Sequence, residues 1–255
     1  MRNIFLVVAM LVGTIFFSAQ AEVNKEEFFI RMSQKYSGLD SVIAKYVINM
    51  PMMGNIMKMP VNFWQKGNKM RMDMTMNQPG MSKPMEQSIL MDGQKIIQYQ
   101  KMLNTVMTID LNKLPENMKQ HLGKQGFMMN SDAITYLSKS FDKLTVEEKI
   151  RNGKQFYLIT ITDIAGMGNI SSGMGMQSTQ DMFKKMLIWI NPATLFPEKI
   201  ELYGEIDTPA MWIDILDIKT DIIPDYIFKL DIPEDAKYID MTESVKAMFE
   251  SMNTN

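Results

Sequence analysis

From Met70 to Met76 the chain alternates without a break, with methionine on every even position and Arg71, Asp73 and Thr75 between them. Successive side chains of a strand point to opposite faces. The run therefore predicts a half-buried β-strand with one flank of thioethers and one of charge and hydroxyl. Less regular β patterning predicts strands at Ser41 to Met50, Met59 to Gln65, Met85 to Met91, Lys95 to Gln100 and Thr105 to Leu111. A second series is predicted at Thr145 to Arg151, Phe156 to Asp163, Lys185 to Asn191, Glu198 to Glu205 and Ala210 to Thr220. Turn signals separate them: Lys66-Gly67-Asn68-Lys69, Asp92-Gly93, Asn152-Gly153 and Asn191-Pro192-Ala193-Thr194.

Helical spacing replaces alternation in three places. Phe28, Phe29 and Met32 share a flank of Glu22 to Lys35. Leu114, Met118, His121 and Leu122, then Ile134, Leu137 and Phe141, fit helices between Leu111 and Leu144. Val245, Met248, Phe249 and Met252 line one side of Asp240 to Met252. The expected fold class is mainly β with helices (α+β), an antiparallel meander of about ten or eleven strands. One curved sheet with its hollow covered by helices is the economical arrangement. Residues 166–180, rich in Gly, Ser and Met, read as a mobile insertion between two strands. No proline-rich linker or repeat divides residues 22–255, so a single domain is expected.

Composition narrows the chemistry. The 255 residues are 46% hydrophobic, include 29 methionines and one histidine, and lack cysteine. Disulfides, thiolate sites and multi-histidine metal sites within the chain are excluded. A net charge of −2 gives no electrostatic reason to expect nucleic acid. Arg2, the apolar run Ile4 to Phe17, and Ser18-Ala19-Gln20-Ala21 together read as a signal peptide over residues 1–21, with Glu22 as the mature start. Export, and a soluble periplasmic protein after cleavage, are expected. No cysteine follows the apolar run to take a lipid anchor.

Four stretches in this order resemble the periplasmic outer-membrane lipoprotein carrier superfamily, the LolA-like and LolB-like proteins. They are Phe63-Trp64-Gln65-Lys66-Gly67 with Met70-Arg71-Met72; Ile89 to Lys95 followed by Tyr99; Trp189-Ile190-Asn191-Pro192 with Phe196-Pro197-Glu198-Lys199-Ile200; and Ile223 to Pro233. The resemblance implies an unclosed β-barrel holding acyl chains in its concave face beneath a helical lid, and handing them to a membrane or acceptor protein without catalysis. The chain departs from the family at the turn arginine that latches the lid, which falls at Gly67 beside Lys66, Lys69 and Arg71. The insertion after Asp163 is a second departure.

The expected ligand is a lipid or lipoprotein acyl chain. Its cavity is expected to be lined by Met70, Met72, Met74 and Met76 with Phe63, Met91, Ile159, Ile161 and Ile190. Methionine is unbranched and polarizable, so it adapts to guests without a fixed shape. A dry core against the helices is the plainer reading of the same residues. A different class is a Cu(I) or Ag(I) protein, because thioethers are soft ligands and Met167, Met174, Met176 and Met182 lie in or beside the insertion. A third is a structural or regulatory module that binds a partner protein. Scattered Asp92, Asp110, Asp163, Asp214 and Asp217, with His121 in a Lys/Gln-rich stretch, form no catalytic order, so neither an enzyme nor a cofactor is expected.

Overall fold

The computed structural model describes residues 23–52, 54–77, 83–116, 118–119, 144–162 and 183–252. The signal peptide, most of the Leu111 to Leu144 region, His121, Asp163 and the 166–180 insertion with its methionines lie outside them. Helix α1 (Lys25–Ser37) precedes strands β1 (Ser41–Met52), β2 (Asn55–Lys66), β3 (Lys69–Met76), β4 (Met85–Met91), β5 (Lys95–Gln100) and β6 (Thr105–Asp110). Then come β7 (Leu144–Arg151), β8 (Lys154–Ile161), β9 (Lys185–Ile190), β10 (Pro197–Tyr203), β11 (Pro209–Lys219), β12 (Lys237–Asp240) and helix α2 (Thr242–Met252).

All twelve strands form one open sheet in the order β12-β6-β5-β4-β3-β2-β1-β11-β10-β9-β8-β7. Two hairpin meanders, β1 to β6 and β7 to β11, are joined where β1 pairs with β11. The expected count of ten or eleven misses β12, and the expected antiparallel pairing holds everywhere except there. β12 lies parallel to β6, with Tyr238 opposite Val106. Four residues are too short for alternation to announce a strand, and its pairing depends on a long connection returning to the edge. Among the described residues no helix is long and apolar enough to cross a membrane.

One apolar cluster unites inner-face residues from Leu144 and Val146 of β7 round to Ile109 of β6, with both helices inside it. Laid flat, twelve strands would span roughly 50 Å. Such a cluster therefore requires the sheet to curl. Helix α1 starts on Asn24, whose side chain accepts from the Glu27 amide at 3.2 Å, and carries Glu26 and Glu27 in its first turn. It buries Phe28, Phe29, Met32 and Tyr36, a stripe at helical spacing. Three contacts fix its course along the β7–β10 half. Lys25 Nζ donates to the Leu144 carbonyl, the Phe28 ring meets Tyr157 edge-on, and the Tyr36 hydroxyl donates to the Leu195 carbonyl. Helix α2 follows β12, and its Val245 and Phe249 pack against the same cluster.

Candidate functional site: a methionine-bearing inner face

Register decides which methionines meet. Met70 lies opposite Met91, Met72 opposite Ile89, and Met76 opposite Met85 on β3 and β4. On β2 and β3, Phe63 lies opposite Met72 and Val61 opposite Met74. Met50 faces Met57 across the β1–β2 hairpin, and Ile48 faces Met59. Direct cross-strand partners sit about 4.5–5.5 Å apart at Cβ, closer than the ~7 Å between i and i+2 on one strand. The inner face of β1–β6 thus carries a contiguous methionine field, and Met107 of β6, opposite Gln98, extends it. Among the described residues its positions bear no charged side chain. Arg71, Asp73 and Thr75 take the other face, as alternation demands.

Burial divides this face in two. Beneath α1, Ile159, Ile161 and Ile190 are 0–2% exposed, and Met186, Ile188, Ile200, Leu202, Met211 and Ile213 are buried with them. That half is solid packing. On β1–β4 burial instead follows position along the strand. Near the turns at Gly67 and Gly93, Val42, Ala44, Phe63, Met70 and Met91 are buried. Toward the opposite end Ile48, Met50, Met57, Met59, Met72, Met74, Met76, Met85 and Gln87 are half-buried. The inner surface therefore closes at one end of these strands and opens at the other.

The nine residues expected to line a cavity all lie on this inner face, but they divide between the halves. Met72, Met74 and Met76 line the open part. Phe63, Met70 and Met91 form its closed end, and Ile159, Ile161 and Ile190 sit several strands away under α1. Sequence reasoning missed Met50, Met57, Met59, Met85, Met107 and Tyr46. The hairpin turns hold the register that would have found them. The Tyr46 hydroxyl donates to Met72 Sδ at 3.4 Å. Burial pushes the phenols of Tyr46 and Tyr36 well above their ordinary range, so both remain neutral.

The outer face has its own architecture. After β11 the chain crosses β3–β6 as a strap, a 3-10 turn at Asp225–Phe228 followed by an extended run to Pro233. Ile223 and Phe228 bury against Leu90, with Trp64 and Ile97 beside them. Lys66 Nζ donates to the Ile223 carbonyl at 3.1 Å and to Asp225 at 2.9 Å. Arg71 Nη1 donates to the carbonyls of Ile227 at 2.8 Å and Lys229 at 3.0 Å. Of the basic residues near the Gly67 turn, Lys66 and Arg71 therefore hold this outer strap. A cleft of about 400 Å³ lies between strap and sheet, walled by Arg71, Asp73, Glu86, Tyr99, Lys101 and Asp231. Most of its walls are polar, and Met74 and Gln87 also contribute to its lining.

No protein-family model matches the sequence, and no curated protein matches it. Solved structures do. An uncharacterized conserved protein from Thermus thermophilus is 10% identical, with 84% of this chain covering 98% of that one at a TM-score of 0.51. A structure described as "putative outer membrane lipoprotein-sorting protein domain", from Vibrio parahaemolyticus, is 12% identical over 76% of this chain and 91% of that one, with a TM-score of 0.35. LprF from Mycobacterium bovis is 9% identical over 83% and 96%, with a TM-score of 0.43. At 10% identity the likeness to the Thermus thermophilus structure is one of fold alone. The unclosed, mainly antiparallel sheet with helices in its concave face is the fold that the sequence resemblance implied.

Proposed function

We propose that this protein is an exported, non-enzymatic carrier or sensor that binds acyl chains of a lipid or lipoprotein against the methionine field of β1–β4. The observation that carries the reading is the burial gradient along those strands: an uncharged inner face, packed shut at the Gly67 and Gly93 turns and half-exposed at the other end. Each guest CH₂ removed from water contributes about 0.8 kcal/mol, so a long acyl chain can be held by apolar contact, with no hydrogen bond to fix its length. Methionine's three soft torsions let the wall follow guests of different shape. The sequence resemblance to the lipoprotein carriers supports the same ligand class and a hand-over to a membrane or acceptor protein.

Two measurements test this. Native mass spectrometry of protein purified from its envelope should show bound lipid. A fluorescent fatty acid should bind the wild type and Met72→Leu/Met74→Leu, and should fail to bind Met72→Glu/Met74→Glu, which puts two carboxylates on the apolar wall. Unchanged binding by the glutamate variant would remove these residues from the site.

A further inference from the structure

Leucine would give the inner face of β3 a similar apolar area with firmer rotamers, so what methionine adds there is sulfur. A thioether takes an oxygen atom from small oxidants and becomes a polar sulfoxide, a change that reductases reverse. Cysteine, whose thiolate would compete for such oxidants, is absent from the chain. Burial sorts the sulfurs. Met70, Met91, Met186 and Met211 are 3–6% exposed and belong to the core. Met72 and Met74 are half-buried, at inner positions where the face opens. Met72 has a further partner, the buried Tyr46 hydroxyl 3.4 Å from its sulfur. Among the described residues that hydroxyl has no other hydrogen-bond partner. A thioether is a weak acceptor, whereas a sulfoxide oxygen is a strong one. The phenol is thus a donor poorly matched to methionine and well matched to its oxidation product.

We propose that Met72 and Met74 form a reversible oxidation site that sets the protein's hold on acyl chains. The proposal deepens the carrier reading and rests on it for the ligand. The oxidant is of the hypohalous acid class, with hypochlorous acid as its simplest member. An S–O bond forms and the O–Cl bond breaks. The thioether gains one oxygen atom and loses two electrons, chlorine leaves as chloride, and a proton goes to water. Return needs a dithiol reductase, in which two thiols close to a disulfide and the oxygen leaves as water. The chain holds no thiol, so that reductant is a separate protein. The two sulfoxides have different consequences. At Met74 the described residues offer the S=O group no donor. Water solvates it on an empty face, and a bound hydrocarbon chain would strip that water away, which opposes binding. At Met72, nearer the closed end, the Tyr46 hydroxyl supplies the donor, so the oxidised protein keeps its fold.

The test doses the purified protein with hypochlorous acid and maps mass gains of about 16 Da, one oxygen each, by peptide fragmentation. Met72 and Met74 should oxidise well before Met70 and Met91, with the exposed Met102 and Met248 reacting first and marking the dose. Affinity for a fluorescent fatty acid should fall about tenfold, and should return after treatment with methionine sulfoxide reductases and dithiothreitol. At the same dose Met72→Leu/Met74→Leu should lose less than about threefold, because leucine has no sulfur to oxidise. In urea, wild type and Tyr46→Phe should unfold together before oxidation. Oxidised Tyr46→Phe should then unfold at lower urea than oxidised wild type. Oxidation of Met70 and Met91 as fast as Met72 and Met74, equal urea midpoints after oxidation, equal loss of affinity in the leucine variant, or a loss that the reductases leave standing would each overturn the proposal. An untreated wild type that takes up no fatty acid would instead sink the carrier reading and the release with it, while the oxidation map and the urea midpoints still decide the site.

Discussion

The Tyr46 hydroxyl on β1 reaches across β2 to the sulfur of Met72 on β3, 3.4 Å away. The tyrosine is buried and the methionine half-buried, so this contact stands where closed core gives way to open face. Its two partners are unequal. A thioether is a weak acceptor that loses little when unpaired, whereas a buried hydroxyl without an acceptor costs about 1–3 kcal/mol. Tyr46→Phe should therefore be nearly neutral in urea unfolding, Met72→Leu should lose about 1–2 kcal/mol, and the double variant should recover most of that loss. Additive losses would show that the contact carries no coupling.

The strap should depend on one side chain more than on its own sequence. Arg71 donates to two strap carbonyls, pairs with Asp73 at 2.9 Å and lies over the Trp64 ring at 5.6 Å. Arg71→Ala should speed amide exchange in a peptide covering residues 224–233 and cost about 1–3 kcal/mol. Arg71→Lys should restore little, because an ammonium lacks the planar fork whose Nη1 serves both strap carbonyls while Nε and Nη2 hold Asp73.

On the outer face of β8–β11, Glu201 is buried among its partners. It accepts from Trp189 Nε1 at 2.8 Å and pairs with Lys199 at 3.0 Å and Arg151 at 3.7 Å. Arg151 in turn lies 4.7 Å over the Trp189 ring. Glu201→Ala strips the indole of its acceptor and should cost about 2–3 kcal/mol in chemical denaturation. Glu201→Gln keeps an acceptor oxygen and should cost clearly less.

Two carboxylates tie the C-terminal elements down, and both titrate low. The Lys66 ammonium bonded to Asp225 holds that carboxyl below the ordinary aspartate range, and bonds from the Thr242 hydroxyl and amide do the same for Asp240. A depressed folded value means a contribution fully present above the unfolded aspartate value and lost as pH falls through the folded one. Strap protection should thus stay flat from neutral pH down to the ordinary aspartate range and fall on further acidification. Hydrogen exchange across that range reads it out, and Asp225→Asn should flatten the strap's share.

Much of the sheet was legible because its signals are local. Met70 to Met76 reads as β3 from alternation, and Asp92-Gly93 reads as a turn because Gly93 takes a φ of 89° beside Asn68, where a Cβ would collide. What stayed hidden is non-local. Nothing near Val47 names Asp214 as its partner across the central seam. The division of the inner face could not be read either, since Ile159 and Met74 carry the same inward pattern and differ only in lying beneath α1 or away from it. The strap held by Arg71 stayed hidden too, because chain position shows nearness to the Gly67 turn and says nothing of what crosses behind it.

The seam between β1 and β11 also governs assembly. It joins residues 43–49 to residues 212–219, so the first strand of the sheet waits for nearly the last. Hairpins β1 to β6 can form as the chain emerges, yet β1 has no β11 to pair with until roughly 100 residues beyond β6 have followed. A nascent chain of this design therefore keeps an apolar face uncovered for much of its synthesis, the interval in which such surfaces are most prone to aggregate.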